Sequence, residues 1–280
     1  MASNLNALRW AGQPGHYEVY YVSLTDRGSG WGIWIRYTMV APAHGGQVTA
    51  SLWLMAMRPD GNGAPIGRKA TFTADALHAS AEPFDLRIGD AVLSERGAQG
   101  RFEDVAWSLR WEPDGRPAEH VHPVLQRARL AKTVLVLPQP DLAIAGTVRV
   151  GGRELGPNTP VVGRLGGDEF RSTSPARVSR NQSSFALTSW DFEARDGSRK
   201  IAVNVDAPRE SLVGVTYTDP DGELAYCYNT EVASLRCRAY ERNRSEHSGW
   251  RLSETLVAPS RAHFEYAQRE PVPGLELHVR

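Results

Sequence analysis

The chain has little cysteine, no excess of charge of one sign, no long apolar run and no long amphipathic helix, and each shortage removes a class of protein. Its two cysteines, Cys227 and Cys237, are too few for the disulfide framework of a secreted scaffold or for a four-thiolate zinc site, and they read as reduced, packed thiols. The 32 basic and 32 acidic side chains cancel to a formal net charge of zero, so neither a basic nucleic-acid surface nor a polyanionic tail is expected. No apolar stretch approaches the ~20 residues that span a bilayer. Met1–Trp10 has no basic patch followed by an apolar segment, so no export signal or membrane anchor is expected. These shortages predict a cytoplasmic, globular protein with no membrane span and no nucleic-acid partner, and they leave its oligomeric state open.

Familiar catalytic signatures are missing as well. The sequence has no GxxxxGK(S/T) loop, no dinucleotide fingerprint after a strand, no GxSxG elbow and no HExxH. Gly163-Arg164-Leu165-Gly166-Gly167-Asp168 spaces its glycines too loosely to count as a phosphate cradle. No cofactor and no metal are expected.

What is present is alternation with period two, the mark of strands. From Val48 to Met57, Val48, Ala50, Leu52, Leu54 and Ala56 project to one side and Thr49, Ser51, Trp53, Met55 and Met57 to the other. Trp31, Ile33, Ile35, Tyr37 and Met39 likewise oppose Trp34, Arg36 and Thr38. Both faces carry bulk, which predicts one face on a core and the other lining a cavity. Further strands are expected at Arg68–Thr73, Asp85–Leu93, Val105–Trp111, Lys132–Leu137 and Leu142–Val150. Turns at Asp26-Arg27-Gly28 and Pro59-Asp60-Gly61 divide this series; a second runs Ser183–Ala194, Lys200–Val205, Val213–Thr218, Glu223–Tyr240, Trp250–Val257, Ala262–Gln268 and Leu275–Val279, with a turn at Asp219-Pro220-Asp221-Gly222. Only Val124–Lys132 and Ala207–Leu212 suit a short helical turn. The fold class expected is all-β: two antiparallel barrel or sandwich modules, 1–155 and 156–280, joined near residues 151 to 175.

Three constellations can carry chemistry. Glu18 shares a strand face with His16 and Tyr20, and a sequestered carboxylate among rings suits general acid or base work; the alternative is a structural carboxylate, paired with Arg36 on the next strand. Glu119-His120-Val121-His122-Pro123 sets two imidazoles on one face, without a third metal ligand at sensible spacing, so His120 or His122 reads as a proton carrier rather than a metal ligand. Around Tyr226-Cys227-Tyr228-Asn229, the residues Tyr226, Tyr228 and Thr230 face one way and Cys227, Asn229 and Glu231 the other. Phenol and amide groups there can orient a polarised carbonyl or sit in a core with their polar tips satisfied. His263-Phe264-Glu265-Tyr266 is a similar, weaker cluster. Trp31, Trp34, Trp53, Trp107, Trp111 and Trp190 form a ligand cage or fill cores.

Gly15, Tyr17, Glu18, Tyr20 and Tyr21 resemble the Gly-x-aromatic-Glu-x-aromatic-aromatic opening of the lipocalin-like superfamily that includes tocopherol cyclase, carotenoid 1,2-hydratase and lipocalin-fold Diels–Alderases. Tyr20 stands where that family more often has Trp. Gly151–Pro160 also lacks the His- and Trp-bearing segment common there after the turn. The resemblance implies two lipocalin-like modules enclosing a hydrophobic polyene, terpenoid or polyketide and, without a cofactor, its cyclisation, hydration or pericyclic closure. On that reading Glu18, His122 and Tyr228 are the catalytic candidates, and Tyr20, Trp34, Arg36, Trp53, Tyr226 and Asn229 the substrate-binding ones. The competing classes are a non-catalytic carrier or sensor of hydrophobic small molecules and a module whose β edges recruit a protein.

Overall fold

The computed structural model describes residues 6–113, 118–119, 133–157, 161–171, 182–195, 198–243 and 245–279. The alternating segments form strands, as expected for an all-β chain, in two sheets. The first contains β1 (His16–Thr25), β2 (Gly32–Ala41), β3 (Thr49–Met57), β4 (Ile66–Thr73), β5 (Leu77–Ala81), β6 (Phe84–Ile88), β7 (Ala91–Ser94), β8 (Gly97–Phe102), β9 (Val105–Arg110), β10 (Ala118–Glu119), β11 (Thr133–Val150), β12 (Arg153–Gly156) and β13 (Val161–Arg171). Its order is β4-β3-β2-β1-β13-β11-β9-β8-β7-β6-β5, with β10 and β12 attached to β11.

The second sheet contains β14 (Gln182–Ala186), β15 (Ser189–Arg195), β16 (Arg199–Asp206), β17 (Val213–Thr218), β18 (Leu224–Arg242), β19 (Trp250–Gln268) and β20 (Leu277–Val279). Its order is β14-β15-β16-β18-β17-β20, with β19 on β18; β20 runs parallel to β17 and the other pairs are antiparallel. The helical elements among the described residues are single 3-10 turns at Ala74–Ala76 and Arg209–Ser211, the second inside the expected Ala207–Leu212. Val124–Lys132 lies outside the described residues. None of the described helices is long and apolar enough to cross a membrane.

Turn chemistry sets the hairpins. After β1, Asp26 Oδ1 accepts the Gly28 N–H (2.8 Å), the Asp26 carbonyl accepts the Gly30 N–H (2.8 Å), and Gly30 takes φ +75°, a region that favours glycine. Two expected pairs of strands, Lys132–Leu137 with Leu142–Val150 and Trp250–Val257 with Ala262–Gln268, merge into the single long strands β11 and β19. Strand β13 falls where the join between modules is expected. Its glycines argue against a strand, yet the register sets Gly166 opposite Tyr21 and Gly167 opposite Tyr20, where the neighbouring rings can cover bare backbone. Strand β13 is the last of the first sheet in chain order, and the second sheet begins with β14.

Three cores result. One face of β1–β3, with Tyr20, Ile33, Ile35, Tyr37, Leu52 and Leu54, packs against β6–β9, β11 and β12 in the curl of the first sheet. The opposite face, with Val19, Tyr21, Trp34, Trp53, Met55 and Met57, packs against Val213, Val215, Cys227, Val232 and Val279 of the second sheet. A third core lies on the far side of the second sheet, around Tyr228, Val205, Leu212 and Phe264. The bulk on both faces of β2 and β3 is thus explained by two packed contacts. At two points the sheets meet too closely for any side chain: a Cβ on Gly32 would lie 2.7 Å from Val232 Cγ1, and one on Gly67 would lie 2.7 Å from Val279 Cγ2. Hydrogen bonds from Thr25 Oγ1 to the Glu231 carbonyl (3.2 Å) and from the Glu231 N–H to Met57 Sδ (3.4 Å) join the same surfaces.

The tryptophans do not form one cage. Trp31, Trp107 and Trp111 belong to the first core, Trp34 and Trp53 to the inter-sheet core, and Trp190 packs against the third. Both cysteines are free, with Cys227 buried and Cys237 half-buried.

Candidate functional site

Alternation along β1 sends Glu18 and Tyr20 into the curl of the first sheet and Tyr17, Val19 and Tyr21 toward the second. Glu18 is 1% exposed and heavily bonded. Its Oε1 accepts the Tyr20 hydroxyl (2.6 Å) and the Arg9 N–H (3.0 Å), and its Oε2 accepts the Trp10 N–H (3.1 Å) and pairs with His16 Nε2 (3.0 Å). Gln13 Nε2 lies 3.2 Å from His16 Nδ1 and can only donate there, which leaves the ring proton on Nε2, facing Glu18. The carboxylate thereby ties the N-terminal segment to β1, while Leu8 packs on the first core. The space that Glu18 lines with Leu8, Tyr20, Met39, Leu77 and Leu86 has no room for a water molecule. The expected pairing of Glu18 with Arg36 does not form: Glu18 stands opposite Met39 and Arg36 opposite Tyr21, so the two side chains leave opposite faces of the sheet.

Arg36 instead enters the inter-sheet core, 4% exposed. Its guanidinium carbon lies 4.5 Å from the Trp34 ring centre, 5.3 Å from that of Tyr217 and 5.6 Å from that of Trp53, and Nη2 donates to the Tyr17 hydroxyl (3.1 Å). Nε and Nη1 have no hydrogen-bond partner among the described residues, and neither do Trp34 Nε1 or Asn229 Nδ2. Buried donors are nearly always paired. The unpaired donors of Arg36, with that of Trp34 beside it, therefore have bonding capacity left for acceptor oxygens. Burial works against the Arg36 charge, but Tyr17, Tyr217, Glu265 and Cys227 outweigh it and hold the guanidinium above its ordinary value.

Strand β19 adds an ionic group beside this cage. The His263 ring lies edge-on to Trp34, centroids 4.8 Å apart. Its Nδ1 is 2.7 Å from Glu231 Oε1 and its Nε2 is 3.6 Å from Glu265 Oε2, while Arg164 Nη2 donates to Glu231 Oε2 (3.2 Å). Burial pulls the imidazole down, but the charge and hydrogen bond of Glu231, with help from Glu265, push it up to about 9. Burial pushes Glu265 up, and the hydrogen bond and charge of His263, then Arg36, bring it down to about 2. Tyr217 Oη (3.1 Å) and Cys227 Sγ (2.9 Å) donate to Glu265 Oε1. Burial, reinforced by the Glu265 charge, raises both the thiol and the phenol well above their ordinary values. The site thus gathers the guanidinium groups of Arg36 and Arg164, the His263 imidazolium, the carboxyl groups of Glu231 and Glu265, the Cys227 thiol and the phenols of Tyr17 and Tyr217. It can grip an oxygen and hand over a proton.

The sequence-derived residues are only partly gathered. Trp34, Arg36 and Trp53 meet in the inter-sheet cage, and Asn229 shares a face of β18 with Cys227, its side-chain amide 3.2 Å from Cys227 Sγ. Glu18 and Tyr20 lie on the far side of β1. Tyr228 occupies the third core, its hydroxyl accepting the Val272 N–H (2.8 Å), and Tyr226, on the same face, lines a separate cleft. His122 lies outside the described residues. Tyr17, Tyr217, Glu231, His263 and Glu265 complete the site. Of these, the alternating positions of Glu231 and the His263–Glu265 pair were visible in sequence, but nothing there marked which sheet they would face.

No protein-family model matches the chain. An uncharacterised protein of Mycobacterium tuberculosis, found in two strains, is 26% identical over 276 residues, covering 81% of this chain and 82% of its own. Among solved structures, a Nitrosomonas europaea protein described as a candidate AttH aligns over 90% of this chain and 92% of its own, with a TM-score of 0.45 and 11% identity. Kievitone hydratase from Nectria haematococca aligns over 93% and 94%, with a TM-score of 0.34 and 10% identity. At these scores neither structure assigns this chain a chemistry.

Proposed function

We propose that this protein is a lipocalin-like small-molecule enzyme that needs no cofactor. It would take the oxygen-bearing end of a hydrophobic polyene, terpenoid or polyketide at Arg36, the packed faces of its two sheets parting to admit it, and promote its hydration or cyclisation. The observation that carries this reading is Arg36: a guanidinium buried among three aromatic rings with Nε–H and Nη1–H unpaired among the described residues. A carbonyl or carboxylate oxygen of the ligand would complete those bonds, and the rings would hold its apolar body. Polarising that oxygen draws electron density from a conjugated chain, and His263 would supply the proton that starts addition of water or ring closure. Folding a flexible chain against aromatic walls would also serve a pericyclic closure, which needs shape more than acid.

The test uses all-trans-retinoic acid as a polyene carboxylate and retinol as its uncharged counterpart, with tryptophan quenching as the readout. The wild type should bind retinoate more tightly than retinol, and Arg36→Met should weaken retinoate by about tenfold or more while retinol changes little. Equal retinoate affinity in the two proteins would refute the assignment. With a turned-over substrate in hand, His263→Asn separates enzyme from carrier: loss of turnover with binding kept supports the enzyme.

A further inference from the structure

A second site lies at the edge of the inter-sheet contact. Strand β4 of the first sheet and β17, β18 and β20 of the second border an open cleft of about 370 Å³, lined by Lys69, Thr216, Thr218, Leu224, Tyr226 and Leu277. That volume falls in the range of small-ligand pockets, roughly 300–1,000 Å³. The lining has one cation, several hydroxyls, two leucines and no carboxylate. Lys69 forms no ion pair among the described residues; its ammonium sits 4.3 Å from the centre of the Trp53 ring, whose centre also lies 5.6 Å from the Arg36 guanidinium carbon. Burial, then the nearby Arg36 charge, lowers the Lys69 amine from its ordinary value. A half-buried ammonium beside a second cation, with no anion of its own among the described residues, is an electrostatic gap. Thr216 Oγ1 is buried without a hydrogen-bond partner among the described residues, and it lines the same cleft.

We propose that this cleft binds a small monoanionic amphiphile, an aryl or short-chain carboxylate or sulfonate. Its head group pairs with Lys69 and accepts from Thr216, while its apolar body lies across Leu224, Leu277 and the Tyr226 ring. The lining matches that division of labour, charge and hydroxyl for the head and hydrocarbon for the body. Leu224, 47% exposed, is one of the large apolar side chains the fold leaves uncovered, and such a body would cover it. The inference is independent of the role given to Arg36.

The probe pair is 1-anilinonaphthalene-8-sulfonate and its uncharged analogue N-phenyl-1-naphthylamine, both read by fluorescence. The wild type should hold the sulfonate about tenfold more tightly than the neutral dye. Lys69→Met, which keeps a flexible chain against Trp53, should abolish that preference without changing the neutral dye, and Thr216→Val should weaken the sulfonate by about threefold. In the wild type itself, saturating sulfonate should slow acetylation of Lys69 by an N-hydroxysuccinimide ester, followed by peptide mass spectrometry. Unchanged sulfonate affinity in Lys69→Met, no preference over the neutral dye, or an unprotected Lys69 would each overturn the proposal.

Discussion

Two buried charges, Glu18 and Arg36, stand on adjacent strands and differ in how fully their bonding is met. Glu18 accepts from backbone and side chains at both oxygens, in a space too small for water. Arg36 gives one hydrogen bond to Tyr17 and keeps Nε–H and Nη1–H unpaired among the described residues. A saturated buried ion holds its neighbours in place. One with spare donors is organised for something that arrives later. The saturated carboxylate ties the N-terminal segment to β1, and on the function proposed above recognition would belong to the cation on the opposite face.

The contrast would break first at Glu18. Glu18→Gln replaces acceptor oxygen with an NH₂ group facing N–H donors, so chemical denaturation should show a loss of about 3 kcal/mol, with the 6–13 segment released to proteolysis. A stability loss below about 1 kcal/mol would put Glu18 back among the catalytic candidates.

Next in size is Gly32→Ala. Its Cβ would press on Val232 Cγ1 and on Glu231 Cβ, 2.7 and 2.8 Å away, wedging the sheets apart at the site and leaving the Glu18 cluster untouched. Stability should fall by about 2 kcal/mol, with changed Trp34 emission and normal protection of the 6–13 segment.

The pH response sharpens the same division. His263 titrates near 9 in the folded protein against an ordinary 6.5, so its contribution to stability is complete below 6.5 and is lost as pH rises through 9. Glu265 titrates near 2 against an ordinary 4.5, so its contribution is complete above 4.5 and is lost as pH falls through 2. Calorimetry should find these two groups contributing fully between those ordinary values, and a drop in Tm of roughly 3–6 °C from pH 7 to 9.5. His263→Asn should remove most of that alkaline slope.

The smallest effect is expected at Arg36. Arg36→Met exchanges an incompletely bonded ion for an apolar chain among rings, and stability should change by less than about 1 kcal/mol even as ligand binding fails. A loss comparable to that of Glu18→Gln would erase the contrast.

Much of the fold was legible because alternation is a local property. The two faces of β2 and β3, and the division of Tyr226, Tyr228 and Thr230 from Cys227, Asn229 and Glu231, follow from the two-residue period alone. Pairing register is not local. The hairpin sets Glu18 against Met39, so even positions of β1 share a face with odd positions of β2, and an apparent Glu18–Arg36 pair is split. Strand β13 was hidden because its glycines argue locally against a strand, while its pairing partner β1 is distant in sequence. The ionic group was hidden for a related reason: Glu231, His263 and Glu265 come from β18 and β19 of the second sheet, and only its docking on the first brings them to Arg164, Trp34 and Arg36 respectively.

Strands β1 to β3 serve as a party wall between two rooms. Cut the chain after Arg171 and the first half would keep its curl but lay bare a strip of indole, thioether and valine that water does not tolerate. Such a fragment should clump or seek a substitute covering, so the two halves are better regarded as co-dependent than as beads on a string.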